Sequence, residues 1–310
     1  MKIVFLDSAT LADLPDQLSR LADIGDFHHY ASTSAPKVIE RLEGADVAIT
    51  NKVVLDAEVI NALPDLKLIC IAATGMNNVD QEAARERGIP VRNVSGYSTE
   101  AVAQLTLTAL FTVAMDLIHL NQSVYDGTYA GQPHFAVWRR PFYELKGARY
   151  GIIGMGTIGQ RVAELATAYG ANVCYYSTSG RNQEQPYPAV SLEELLSTCE
   201  VISIHCPLNA KTENLIDYAA LRQMKSSAYL INVARGGIVN EPDLVRALDE
   251  ELIAGAAVDV FTTEPIPQNH VYLSVKDRSK LLLTPHIGWA SVEARTTLVD
   301  GIIANIEQGW

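Results

Sequence analysis

Three polar residues stand just past short apolar runs in the last third of the chain, where side chains can leave the edge of a sheet. Arg235 follows Ile231-Asn232-Val233-Ala234 and precedes Gly236-Gly237. Glu264 follows Ala257-Val258-Asp259-Val260-Phe261 inside Thr262-Thr263-Glu264-Pro265. His286 follows Leu283-Thr284-Pro285 and precedes Ile287-Gly288. An imidazole gives or takes a proton near neutral pH. A carboxylate on its other nitrogen fixes the tautomer and supports the imidazolium. An arginine holds a carboxylate through two parallel bonds and can polarise a neighbouring carbonyl. Together the three types suit reduction of a keto group beside a carboxylate, where hydride addition leaves charge on oxygen and a proton donor must be in place. Taken singly, each also has an ordinary reading, a packed histidine or an arginine capping a helix, and spacing alone does not separate the two.

A second set of residues has the pattern of a dinucleotide site. Gly154-Met155-Gly156-Thr157-Ile158-Gly159 directly follows an apolar run at 149–153 and opens a helical pattern. The first glycine makes the tight turn, the second lets backbone approach a pyrophosphate, and the third lets the helix pack on the strand. The helix N-terminus then favours the anion. The end of the next strand discriminates NAD from NADP, because a carboxylate there bonds a free ribose 2′-hydroxyl. That place falls at Ser177, in Tyr176-Ser177-Thr178-Ser179-Gly180-Arg181, and the nearest acid downstream is Glu184. Hydroxyls and a guanidinium suit a 2′-phosphate, so Ser177, Thr178, Ser179 and Arg181 are candidate contacts and NADP is favoured over NAD. A polar surface loop that tolerates either cofactor is the alternative.

The elements that must position these groups alternate apolar runs with helical patterns. Strands are expected at 3–6, 47–50, 68–72 and 91–93, with helices at 15–22, 35–42 and 80–87. Residues 98–120 predict one long apolar helix with no turn signal inside it. Residues 127–143, rich in Gly, Pro and aromatics, predict an extended arm. A second series follows, with strands at 149–153, 173–176, 201–205, 229–232, 256–259 and 281–284. Its helices are expected at 157–169, 192–196, 218–224, 241–250 and 291–308. Two α/β units with parallel sheets and right-handed crossovers are the expected fold.

Composition narrows the function classes. Hydrophobic residues make up 48% and charged residues 19%, which suits a globular chain with a large core. A net charge of −12 lacks the basic face that nucleic acid requires, and an anionic membrane would repel it. The best membrane candidate, 101–115, is interrupted by Gln104, Thr106, Thr108 and Thr112. The N-terminus reads as a buried strand rather than a signal peptide. Cys70, Cys174, Cys199 and Cys206 are scattered without a CxxC pair, so free buried thiols in a reducing cytoplasm are expected. His28-His29 lies in a turn-like stretch with no third ligand, and no metal site is expected there.

The runs at 230–239 (LINVARGGIV), 257–265 (AVDVFTTEP) and 284–291 (TPHIGWAS) complete the pattern. With the glycine motif, His205-Cys206-Pro207-Leu208-Asn209 and Thr212, they resemble the D-isomer-specific 2-hydroxyacid dehydrogenase family across essentially the whole chain. The resemblance implies that Arg235 binds substrate, Glu264 pairs with the histidine and His286 is the general acid/base. It places Asp259 near the nicotinamide, and Thr157, Ile158, Cys206, Pro207, Thr212, Val233 and Ala234 along the cofactor. It implies a Rossmann-type doubly wound dinucleotide-binding domain over 98–287, with a dimerisation arm near 127–143. A flavodoxin-like substrate domain would combine 1–97 with 288–310. The loop 73–80, with Thr74, Gly75 and Met76, would offer backbone N–H groups to the substrate carboxylate; a plain strand-to-helix turn is the alternative. The family's dimers form through the cofactor domains. In glyoxylate/hydroxypyruvate reductases a tryptophan from such an arm reaches the partner's site, so Trp138 is the candidate here, with simple packing as the alternative. Trp289 and the stretch 176–181 look like the glycerate dehydrogenase/hydroxypyruvate reductase branch, which implies hydroxypyruvate or glyoxylate as substrate. Glu264 argues against the formate dehydrogenase relatives. A nicotinamide-sensing, corepressor-like binding protein and the same chemistry on bulkier keto acids remain compatible with these residues.

Overall fold

Runs rich in leucine and β-branched residues become strands because a parallel sheet covered on both faces buries nearly every position. In the computed structural model, which describes residues 1–182 and 184–310, these strands form two sheets. The first contains β1 (Lys2–Phe5), β2 (Asp26–His29), β3 (Val47–Thr50), β4 (Leu68–Ile71) and β5 (Val91–Asn93). Its order is β2-β1-β3-β4-β5 with every pair parallel, the flavodoxin-like arrangement. It belongs to a compact unit made of Met1–Ser98 and Ala290–Trp310. The last helix, Val292–Glu307, buries Leu298, Val299, Ile302 and Ile306. Arg295 on the same helix bonds the Asp13 carboxylate and the Thr10 carbonyl.

The turn-like reading of His28-His29 is corrected: both lie in β2. Among the described residues this edge strand pairs with β1 alone, and it is largely exposed, so it carries no apolar run to betray it. His28 pairs with Asp26 at 3.1 Å, and His29 Nδ1 lies 2.9 Å from the Ser8 hydroxyl.

The second unit is Thr99–Trp289. Its strands are β6 (Arg149–Ile153), β7 (Asn172–Tyr176), β8 (Val201–Ile204), β9 (Tyr229–Asn232), β10 (Gly255–Val258) and β11 (Leu281–Leu283). All pair in parallel in the order β11-β10-β9-β8-β6-β7. The chain steps outward from β6 to β7, then crosses back to β8. That reversal is the switch point at which a doubly wound sheet opens a crevice beyond its C-terminal strand ends. One face of the sheet packs Leu195, Ile202, Leu230 and Leu244; the other packs Leu110, Tyr150, Val162 and Ile231.

Residues 98–120 do not form a single helix. Thr99–Ala114 ends, and Leu117–Tyr125 restarts at a 60° bend. Asp116 between them takes a left-handed φ of 55°, and its buried carboxylate accepts Arg139 Nε at 2.9 Å. The break carries neither glycine nor proline and coincides with a tertiary ion pair. No single helix among the described residues is long and apolar enough to cross a membrane. Residues 127–143 contain neither helix nor strand. Arg140 anchors this arm by donating to the carbonyls of Val113 (2.7 Å) and Ser279 (3.0 Å). Phe135 is 94% and Trp138 63% exposed.

Gly301, inside the last helix, tests how that helix packs. A Cβ built there lies 2.5 Å from Val94 Cγ1. Helix propensity favours Gly→Ala by about 1 kcal/mol, but overpacking costs about 1–3 kcal/mol. Gly301→Ala is therefore expected to lower the urea midpoint; a raised midpoint would refute the packing.

Candidate active site

β6 runs into Gly154, whose φ of 97° excludes other residues. A Cβ at Gly154 would lie 2.8 Å from Cys206 N, so the exits of β6 and β8 meet backbone to backbone at the switch point. A Cβ at Gly159 would lie 2.2 Å from Gly154 O, which is the close helix–strand contact the third glycine allows. At Gly156 a Cβ would meet nothing within 4 Å. Gly156 is the N-cap of the helix Thr157–Ala168 and provides no side-chain cap, so the first-turn N–H groups face a cradle that suits a pyrophosphate. Met155 is buried, and Ile158 packs on the core, so both present mainly backbone to that cradle.

The loop after β7 folds on itself. Ser177 Oγ donates to the Arg181 carbonyl, and Arg181 N–H donates to Ser179 Oγ at 3.2 Å. Ser177 and Thr178 are half-buried; Ser179 and Arg181 are exposed, and no carboxylate occurs in 177–182. After β8, burial pushes the Cys206 thiol up to about 11, which keeps it neutral. Thr212 is buried; its hydroxyl donates to the Pro207 carbonyl at 2.7 Å and accepts Asn209 N–H at 2.8 Å, closing the turn. Val233 is buried and Ala234 half-buried at the exit of β9.

The three chemistry-bearing residues leave β9, β10 and β11, which are neighbours in the sheet. Asn232 ends β9 and braces the next turn, donating to Arg235 O at 3.1 Å and accepting Ala234 N–H at 3.2 Å. Arg235 is half-buried, and its Nη1 donates to the Ala234 carbonyl at 2.7 Å. Beyond β10, Glu264 Oε1 accepts Phe261 N–H at 3.0 Å. Its Oε2 lies 2.7 Å from His286 Nδ1. That contact leaves His286 Nε2 without a hydrogen bond among the described residues. His286 itself has a left-handed φ of 55°.

Asp259 holds the turn that carries His286. Its Oδ1 accepts Thr284 Oγ1 at 2.5 Å and Ile287 N–H at 2.9 Å; Oδ2 accepts Gly288 N–H at 2.8 Å. Both oxygens are therefore engaged in positioning the turn. Thr284 stands in the run before His286, but the sequence pattern assigns it no role; the structure gives it one in its bond to Asp259.

Thr74, Gly75 and Met76 belong to the other unit, in the loop after β4. Thr74 Oγ1 donates to Val94 O at 3.2 Å, and Asn93 Nδ2 donates to Thr74 O at 2.6 Å. Met76 packs against that unit's core. Trp138 sits exposed on the arm.

A parallel sheet with a glycine-lined turn at its switch point, and an acid–imidazole pair on the same edge, defines a dinucleotide-binding oxidoreductase. Known proteins narrow this. A profile described as "D-isomer specific 2-hydroxyacid dehydrogenase, NAD binding domain" matches residues 107–288. A hydroxypyruvate reductase of Blautia hydrogenotrophica is 36% identical, over 99% of this chain and 96% of its own. A glycerate dehydrogenase of Methylorubrum extorquens is 37% identical, over 99% and 95%. Among solved structures, an NADPH-dependent glyoxylate/hydroxypyruvate reductase from Sinorhizobium meliloti, in complex with NADP and malonate, superposes with a TM-score of 0.84 at 26% identity. That match covers 99% of this chain and 92% of that one. The chain belongs to the D-isomer-specific 2-hydroxyacid dehydrogenase family, nicotinamide-dependent oxidoreductases of 2-hydroxy acids.

Two measurements check this geometry. Gly159→Ala forces a Cβ onto backbone, and is expected to weaken nicotinamide cofactor binding at least about tenfold by fluorescence titration; unchanged affinity would refute the close approach. His205, next to Cys206, lies with its ring buried and Nε2 2.9 Å from Ser203 Oγ. Burial pushes this imidazole down to about 3, against roughly 6.5 in an unfolded chain. The unfolded state takes the proton first, so this stability is present above about pH 6.5 and is lost as pH falls toward 3. His205→Gln is expected to remove about 2–3 kcal/mol of the stability lost between pH 7 and 4.5, read from urea midpoints. Parallel slopes for the two proteins would show that the ring is not held neutral.

Proposed function

We propose that this protein reduces hydroxypyruvate or glyoxylate to D-glycerate or glycolate, with NADP preferred over NAD. The observation that carries the reading is the 2.7 Å contact between His286 Nδ1 and Glu264 Oε2, on the sheet edge that bears the dinucleotide turn. The substrate class is supported by the relatives named hydroxypyruvate reductase and glycerate dehydrogenase. The cofactor preference is supported by the hydroxyls and Arg181 after β7, where no carboxylate opposes a 2′-phosphate. A solved relative that holds NADP supports it too.

When bound, the nicotinamide supplies the hydride to the keto carbon. Glu264 holds the Nδ1 proton of His286, so Nε2 is the nitrogen that gives its proton to the carbonyl oxygen. The carboxylate beside it stabilises the charged ring before the transfer. Arg235 binds the substrate carboxylate and orients the keto oxygen. Asp259 keeps the His286 turn in place. Residues 98–287 form the dinucleotide-binding domain, in which Gly154, Met155, Gly156, Thr157, Ile158 and Gly159 cradle the pyrophosphate. Ser177, Thr178, Ser179 and Arg181 take the ribose phosphate. Cys206, Pro207, Thr212, Val233, Ala234 and Asp259 line the rest of the cofactor site. Residues 1–97 with 288–310 form the substrate domain, from which Thr74, Gly75 and Met76 meet the substrate carboxylate. The chain works as a cytoplasmic homodimer. The exposed aromatics of the arm support this, Trp138 being the side chain that reaches the partner's site.

Steady-state reduction of hydroxypyruvate and glyoxylate with NADPH and NADH tests the reading. Turnover is expected with a clear NADPH preference. His286→Ala and Arg235→Ala should each lose activity by about two orders of magnitude or more while cofactor binding survives. An NADH preference would overturn the cofactor assignment. Tight cofactor binding without turnover of any keto acid would make the protein a nicotinamide sensor instead.

A further inference from the structure

The peptide joining Phe261 to Thr262 is held from two sides. A Cβ built at Gly236 would lie 2.0 Å from Phe261 C and 2.4 Å from Thr262 N, so the exits of β9 and β10 touch backbone to backbone here. On the other side Thr262 N–H donates to Glu241 Oε1 at 2.8 Å. Glu241 is the first residue of the helix Glu241–Asp249, which Asn240 caps. Its second oxygen lies 3.1 Å from His270 Nε2. His270 Nδ1 in turn accepts Tyr272 N–H at 3.3 Å. A backbone N–H can only donate, so Nδ1 is the acceptor and Nε2 carries the proton given to Glu241. The side chains are 6% and 11% exposed, and the Phe261 ring meets His270 edge-on at 5.8 Å. All four polar atoms of this buried pair are engaged.

The held peptide sits where the proposed catalytic groups are aimed. Phe261 N–H, in the peptide immediately before it, donates to Glu264 Oε1 at 3.0 Å, and Glu264 Oε2 meets His286 Nδ1 at 2.7 Å. The two peptides share Phe261 Cα, so a displacement of the held one is passed to the adjoining amide that aims this carboxylate. Through Gly236 it also moves the segment that carries Arg235. We infer that Glu241 and His270 are positioning residues for the reaction: a buried carboxylate–imidazole pair that fixes the 261–262 peptide and so sets the reach of Glu264 to His286. The inference rests on His286 being the proton donor. The charged groups set around His286 are Glu264 in contact, Asp259 holding its turn, and Arg235 at the exit of β9, one strand beyond β10. Those set around Glu241 and His270 are each other and the Tyr272 phenol.

Keto-acid reduction is followed against pH in the intact protein for the wild type, Glu241→Ala, His270→Asn and His286→Asn, with the cofactor Kd measured for each. Reduction needs a protonated His286, so wild-type kcat/KM falls on the alkaline side as that ring loses its proton. Weakening its carboxylate contact makes the proton easier to lose. In Glu241→Ala the alkaline limb is expected to move to lower pH by about half a unit or more. The kcat should fall about tenfold with the cofactor Kd within about twofold. His270→Asn keeps a cap acceptor for Tyr272 N–H but gives up the support of Glu241, and is expected to move the limb the same way by less; it also serves if Glu241→Ala does not fold. A lower kcat with the limb unmoved in these variants means a smaller active fraction, and overturns the inference. Full activity in His286→Asn overturns the assignment of the proton donor instead, so the two failures are distinguishable.

Discussion

The Asp259 carboxylate is 2% exposed and accepts three hydrogen bonds from one turn, two of them from backbone amides. A charge buried this deeply costs several kcal/mol unless its lone pairs are used. Here they are used to fasten the exit of β11 to the exit of β10. The turn so fastened contains His286 with φ at 55°. A non-glycine residue in that conformation costs about 1–3 kcal/mol and persists only where its surroundings over-determine it. Glycine would relieve the backbone but bring no imidazole. The strain therefore falls on the residue whose side chain must face Glu264, and the bonds to Asp259 hold it there.

The same device recurs along the sheet edge. Neighbouring strands lie about 4.8 Å apart, so the exits of β9, β10 and β11 present residues far apart in sequence within side-chain reach. Each exit is then braced by backbone contact or by a side chain bonded to backbone. Asn232 braces the 233–235 turn, Gly236 admits the Phe261–Thr262 peptide, and Asp259 grips 287 and 288. At the switch point Gly154 and Cys206 repeat the pattern. Precision in the site comes from the sheet edge itself, with side chains added to a backbone frame that is already locked.

This explains which features could be read in the chain. The glycine turn is local: six consecutive residues state the turn, the close approach and the helix start. Most strands were legible because parallel-sheet burial writes a continuous apolar run. β2 was not, since an edge strand of Asp26, Phe27, His28 and His29 buries little. The helix break at Asp116 left no signal, because it holds no glycine or proline and the partner of its carboxylate, Arg139, lies 23 residues away. Arg235, Glu264 and His286 were legible as strand-exit residues, but only the family resemblance joined them, since sheet register cannot be read from single runs. Glu241 and His270, 29 residues apart, are joined only through a folded loop and a helix end.

Two carboxylate–imidazole pairs thus stand one loop apart, and their environments assign them different work. His270 is almost enclosed, and its Nδ1 must accept a backbone N–H. That nitrogen is committed as an acceptor and Nε2 is committed to Glu241, whose other oxygen fixes a peptide. His286 is 22% exposed and gives Nδ1 to Glu264. A proton on Nε2 there displaces no bond. The same two side-chain types form a closed brace where both ring nitrogens are committed and leave a nitrogen open where one is not. That difference in geometry tells the two histidines apart better than their place in the sequence, since both follow a proline within a few residues.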